Sequence, residues 1–135
     1  MPYILKPTPG KSLEDAYSGQ AYISPLTQKT ECVAFLQTAI PYMPHTSRWK
    51  EGKRITSHDN SVGVGTAIAT FVDGKYPGPG KDKHAAIYLG QDAIGIHVLD
   101  QWATQGNVQK RTIRWAPPPG TKIQNDGTKY SVIES

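Results

Sequence analysis

Thr30-Glu31-Cys32-Val33-Ala34-Phe35-Leu36 is the stretch whose reading decides the architecture. Its apolar residues recur at helical spacing and Thr30 is a fitting N-cap. A helix is therefore predicted from about Glu31 to Ile40, ending before Pro41. Cys32 is the only cysteine of the chain. In the first turn of such a helix it meets unpaired backbone N–H groups and the positive end of the helix dipole. Both favour thiolate over thiol.

A thiolate nucleophile needs a base, and the base needs an orienting group. His84 opens the apolar run Ala85-Ala86-Ile87-Tyr88-Leu89, and Asp100 closes the run that follows. A helix laid across an antiparallel sheet points its N-terminus at the ends of neighbouring strands. Two hairpin-paired strands then set His84 and Asp100 side by side. The imidazole would take the thiol proton, and the carboxylate would hold the ring in its productive tautomer. The Cys32 N–H, unpaired at the helix end, is one candidate oxyanion donor.

Outward from this core the chain reads as helices followed by strands. Residues 1 to 11 read as an irregular lead-in, 12 to 19 as a short helix capped by Ser12, and 21 to 24 as an extended piece. The segment 42 to 61 is polar and reads as loop, anchored by Trp49. Strands are predicted over 62 to 72, 84 to 89, 94 to 101 and 108 to 115, with a tight hairpin at Asp92-Ala93 and an edge strand over 129 to 133. The class is α+β, with N-terminal helices on an antiparallel sheet of about five to six strands, in a single domain over 1-135. Gly63 and Gly65 lack the Gly-Lys-Ser/Thr of a phosphate loop, so they mark a bulge or close backbone approach.

Composition narrows the function classes. One cysteine forms no internal disulfide, so the fold does not depend on an oxidising compartment. No apolar run is long enough to cross a bilayer, and the first residues lack the basic and apolar regions of a signal peptide. The expectation is a chain without membrane insertion, made in the cytoplasm and exported, if at all, without a cleaved signal. The formal net charge of +4 suits an anionic polymer such as a bacterial wall, or is simply a solvated basic surface. No zinc-finger, homeodomain or RNP pattern supports nucleic-acid binding. No cluster has metal-ligand spacing, and neither metal nor cofactor is expected.

Each candidate also has a plainer reading. Taken alone, Cys32 reads first as a small core residue, His84 as a strand cap and Asp100 as a turn-side carboxylate, and only the three together favour catalysis. His97 is a second candidate for the orienting group. It differs from Asp100 by an odd number of positions, so in a regular strand only one of the two faces His84. His45 and His58 lie in the polar segment and read as surface residues. Tyr22, Trp49 and Tyr88 are candidate substrate walls, with a place in the core as the competing reading.

Four stretches resemble a known superfamily: Glu31 to Leu36, Gly65 to Phe71, His84 to Leu89 and Val98-Leu99-Asp100-Gln101-Trp102. Together they are similar to the papain-like cysteine amidases, nearest the CHAP domains and the NlpC-type peptidases. The resemblance implies a papain-like fold, with Cys32 as nucleophile, His84 as base and Asp100 as the third, acidic residue. His97 takes the third role under the NlpC-type alternative. Gly-Thr-Ala stands where CHAP domains usually carry Gly-Asp, and Trp102 stands where they carry Asn. The implied activity is hydrolysis of amide bonds in peptidoglycan stem peptides through a thioester. Small leaderless versions are similar to type VI secretion amidase effectors, toxins injected into a rival's periplasm, for which a cognate immunity protein is a candidate partner. Two alternatives stay open: a papain-like deamidase or acyltransferase toxin on another substrate, and a catalytically inactive binding module of the same fold.

Overall fold

The computed structural model describes residues 1–135. Two helices, α1 (Leu13–Tyr17) and α2 (Cys32–Ala39), precede all six strands of a single sheet. Its strands are β1 (Lys50–Arg54), β2 (Ala67–Thr70), β3 (Ala85–Gln91), β4 (Gly95–Asp100), β5 (Gln109–Arg114) and β6 (Tyr130–Glu134). They are ordered β1-β6-β2-β3-β4-β5, and every pairing is antiparallel.

Period-two alternation in β3 explains how the sheet is clothed on both sides. Ala85 and Ile87 face α2 and pack with Phe35, Leu36, Leu99 and Ile133. Ala86 and Tyr88 face the other way, into a cluster with Ile55, Ile68, Ile96, Val98, Ile113 and Tyr130. Phe35 and Leu36 have no exposed surface. Burial of that kind contributes about 1.5–3 kcal/mol per side chain and fixes α2 over β3.

The sheet departs from the sequence reading in three places. The last strand is not an edge. β6 lies between β1 and β2, and Tyr130, Ser131, Val132 and Ile133 are all buried. The true edge on that side is β1, inside the segment expected to be loop. Its Lys-Glu-Gly-Lys-Arg sequence shows no apolar alternation because an edge strand needs only backbone pairing, and its charges discourage further strands from adding. The strand expected over 62 to 72 is confined to Ala67–Thr70. Gly65, at φ 94°, turns the chain just before it, and a Cβ there would collide with the Leu5 carbonyl.

Smaller differences have equally local causes. Ser12 caps α1 through the Asp15 N–H at 3.1 Å, but the helix stops at Tyr17, and Gly19 follows at φ 85°. Residues 21 to 24 form no strand. The N-cap of α2 is Glu31, while the Thr30 hydroxyl donates to the Trp102 carbonyl at 3.1 Å. The lead-in contains no helix or strand, yet it docks on the sheet through bridges Pro2–Glu134 and Ile4–Thr66, and Leu5 is buried. At the β3–β4 hairpin, the Asp92 carboxylate accepts from the N–H groups of Ile94 and Gly95. No helix is long and apolar enough to cross a membrane.

Candidate active site

Three elements end at one place. Cys32 is the first residue of α2, His84 immediately precedes β3, and Asp100 is the last residue of β4. β3 and β4 pair as Ile87 with Leu99 and Tyr88 with Val98, which carries His84 and Asp100 to the same end of the hairpin. The His84 backbone is held there by β2: its N–H donates to the Thr70 hydroxyl, and its carbonyl accepts from the Thr70 N–H, each at 3.0 Å.

His84 Nε2 and Asp100 Oδ2 share a hydrogen bond of 2.6 Å, and both residues are buried. The same carboxylate oxygen accepts from Arg111 Nε at 2.6 Å. The Arg111 guanidinium lies 4.9 Å over the Trp102 ring, and Trp102 meets the His84 ring edge-on at 6.2 Å. Trp102 thus forms a shared apolar cover for the imidazole and guanidinium. With Nε2 committed to Asp100, Nδ1 is the ring nitrogen left for proton exchange with a thiol.

Cys32 is a free, half-buried thiol whose Sγ lies 3.7 Å from the Tyr76 hydroxyl. Burial pushes its pKa up, but hydrogen bonding and charge from His84, the Ala85 N–H and the Tyr76 hydroxyl prevail, so the thiol titrates below its ordinary range. Burial pushes His84 down, yet Asp100 and the neighbouring sulfur raise its pKa to about 9. Both shifts favour one state, a thiolate beside an imidazolium. Tyr76 moves well above the usual phenol range, first through burial and then through the Cys32 charge, so it remains a donor. The main supports of the thiolate are thus the His84 and Tyr76 side chains and the Ala85 N–H at the start of β3, beyond the helix N-terminus expected from the sequence. The Cys32 N–H itself makes no backbone hydrogen bond.

Two residues with no role assigned from the sequence complete the geometry. Gln101 is fully buried. Its Oε1 accepts from the Tyr22 N–H at 3.1 Å, and its Nε2 donates to the carbonyls of Tyr22 and Glu31 at 2.7 and 2.8 Å. It ties the N-cap of α2 to the end of β4. Its position next to Asp100, on the opposite strand face, was the available signal. Tyr76 comes from the Gly-Pro loop and is held by Trp49 at 4.8 Å and Phe71 at 6.5 Å between ring centres. Nothing in the local sequence of that loop marks it.

The remaining candidates fall elsewhere. His97 bonds Asp92 through Nε2 at 2.7 Å and Thr112 through Nδ1 at 2.8 Å, so it orients nothing at His84. Tyr88 is buried on the sheet face opposite α2, its hydroxyl donating to Gln91, and cannot wall a site at Cys32. Its even position, two after Ala86, explains this. Trp49 is buried, donates to the Pro44 carbonyl at 3.0 Å and reaches the thiol only through Tyr76. Tyr22 stacks on Phe35 at 5.2 Å and donates its hydroxyl to Gln20. His45 is exposed and caps the turn Thr46–Arg48, and His58 is exposed. No three His, Cys, Asp or Glu side chains converge to hold a metal ion.

The model of the family described as "Domesticated amidase effector 2" matches residues 8–133. A "Type VI secretion amidase effector 2 protein" of Salmonella typhi is 40% identical over 101 residues, 73% of each chain. A "Domesticated amidase effector 2" of Ixodes scapularis is 37% identical over 108 residues, 78% of this chain and 72% of its own. Among solved structures, "Type 6 secretion amidase effector 2 (Tae2)" superposes with a TM-score of 0.75 at 32% identity, covering 92% of both chains. The architecture is the papain-like α+β fold expected from the sequence.

Proposed function

The chain belongs to the domesticated amidase effector 2 family, and from that premise we propose that it hydrolyses an amide bond of peptidoglycan stem peptides through Cys32, His84 and Asp100. The observation that carries this reading is the 2.6 Å bond between His84 and a fully buried Asp100, beside a thiol held below its ordinary pKa.

The chemistry follows from these groups. The Cys32 thiolate attacks the amide carbonyl, the S–C bond forms, and the carbonyl electron pair moves onto oxygen. The Cys32 N–H and the Tyr76 hydroxyl are the two donors for that oxyanion, and one well-placed donor is worth about 10²–10³ in rate. As the intermediate collapses, the C–N bond breaks and the departing amine takes the proton from imidazolium Nδ1. Neutral His84 then removes a proton from water, whose oxygen attacks the thioester and returns the sulfur as thiolate. Asp100 accepts from Nε2–H throughout and steadies the charged ring, while Arg111 Nε donates to the same carboxylate oxygen and holds it in place.

In this reading the protein is an effector delivered into a target cell's periplasm, where the wall is exposed, and a producing cell protects itself with a cognate immunity protein. The test is incubation with purified sacculi followed by mass analysis of the released fragments. The wild type should yield products one water heavier across a single amide, and Cys32→Ala should yield none. Equal release by Cys32→Ala would refute the assignment.

A further inference from the structure

We propose that Arg111 is a positioning residue for the second half of the reaction: by sharing the one Asp100 oxygen that His84 uses, it lets the imidazole release its proton and act as the base toward water. This deepens the amidase reading and rests on it. Asp100 is fully buried, and its Oδ2 accepts from both His84 Nε2 and Arg111 Nε, each at 2.6 Å. Its Oδ1, buried as well, accepts no hydrogen bond from any protein group. Two cationic donors thus divide one oxygen while the other is unused. Whatever negative charge Arg111 draws is lost to the ring.

Arg111 is built into that place. In the β4–β5 ladder Asp100 lies opposite Gln109, so Arg111, two residues on, is its diagonal neighbour on the same face. Its Nη1 donates to Asn125 Oδ1 at 3.2 Å, and its guanidinium lies 4.9 Å over the Trp102 ring. These supports fix a planar fork that keeps its charge throughout the working pH range, which a lysine ammonium would not match.

The reaction gives that charge its use. Around the ring stand Cys32 from α2, Asp100 from β4, Arg111 from β5 behind Asp100, and Tyr76 from the loop before β3. β2 contributes the uncharged Thr70, and Tyr76 and Tyr130 of β6 both stay neutral. Before acylation, thiolate balances imidazolium and Asp100 balances Arg111. Afterwards the sulfur is a neutral thioester, and the ring has given its proton to the departing amine. Only carboxylate and guanidinium then carry charge, and they balance each other. Without Arg111 the buried carboxylate would draw the ring back to imidazolium, which cannot take a proton from water. Asp100 and the sulfur already raise His84 to about 9. Each further unit would leave about tenfold less neutral imidazole at neutral pH.

The direct readout is the His84 pKa in Cys32→Ala protein, which lacks the sulfur charge as the thioester does. It is followed by NMR of the ring, with the signal assigned by its loss in the added His84→Ala variant. Arg111→Gln in this background should raise the value by about 0.5–1 unit. A role confined to holding Asp100 still would lower it instead, because the freed carboxylate would leave the ring. A fall, or no change, overturns the proposal. If Arg111→Gln does not fold, Asn125→Asp replaces it. That variant keeps the Nη1 acceptor, draws guanidinium charge away from Asp100 and should also raise the ring; no rise overturns the proposal. On a soluble wall peptide, Arg111→Gln should lower kcat up to about tenfold and show a burst of first product as acyl-enzyme accumulates. Slower turnover without a burst would put the effect in the first half and overturn the assignment. A wild type that cleaves nothing ends the amidase reading, while the NMR titration still decides whether Arg111 restrains the ring.

Discussion

At the residue scale the site is a coupled titration. His84 is raised from 6.5 to about 9, and Cys32 is lowered, so the reactive thiolate–imidazolium form spans the pH range between them. On a soluble wall peptide, kcat/KM should rise through the acid limb and fall through about pH 9, where the leaving amine loses its acid. The sign for stability is parallel. A histidine whose folded pKa is raised stabilises the fold fully below 6.5 and loses that contribution as pH passes about 9. Asp100→Asn should draw the alkaline limb to lower pH and cut kcat/KM by about 10² or more. It should also destabilise the fold by somewhat less than the ~3–5 kcal/mol typical of breaking a buried pair, since Arg111 is partly open to water. Tyr76→Phe should lower kcat by about 10², move the thiol pKa upward and leave the melting temperature nearly unchanged. Loss of stability without a change in either kinetic quantity would make Tyr76 a packing residue.

At the element scale the decisive contact is the one Gln101 makes between β4 and the start of α2. Replacing it with Leu strands the Tyr22 N–H and two carbonyls, each costing about 1–3 kcal/mol when left unpaired. Gln101→Leu should therefore lower the denaturation midpoint and also raise the Cys32 pKa, because α2 is no longer pinned opposite His84. A lowered midpoint with an unaltered thiol pKa would confine Gln101 to stability. Elements with strong periodicity were legible in the sequence: α2 ends before Pro41 as expected, and β3, β4 and β5 fall within a residue or two of their expected spans. Cys32, His84 and Asp100 were nameable because each sits at an element boundary that local patterning marks. β1 was illegible because an edge strand carries no apolar code. Tyr76 and Arg111 were illegible because their partners lie 44 and 11 positions away, and the only sequence signal for Gln101, whose partners lie 70 to 79 positions away, was its place beside Asp100.

At the scale of the whole molecule, the chain closes on itself by laying its first residues along the sheet. The Leu5 N–H donates to the Gly65 carbonyl at 2.8 Å, and the left-handed Gly65 leaves room for the Leu5 carbonyl opposite. Gly65→Ala adds a left-handed cost of about 1–2 kcal/mol to that collision, so the melting temperature should fall and the lead-in should become protease-sensitive. An unchanged melting curve would mean that this closure contributes little. Everything proposed about catalysis requires the folded molecule to hold one sulfur ionised beside one imidazole. The rate of Cys32 alkylation by iodoacetamide against pH reads that state directly. The native protein should react with an apparent pKa well below the ordinary ~8.5 of a free thiol, and His84→Ala should return it toward that value. A thiol that ionises only in the ordinary range, with or without His84, would contradict the assignment.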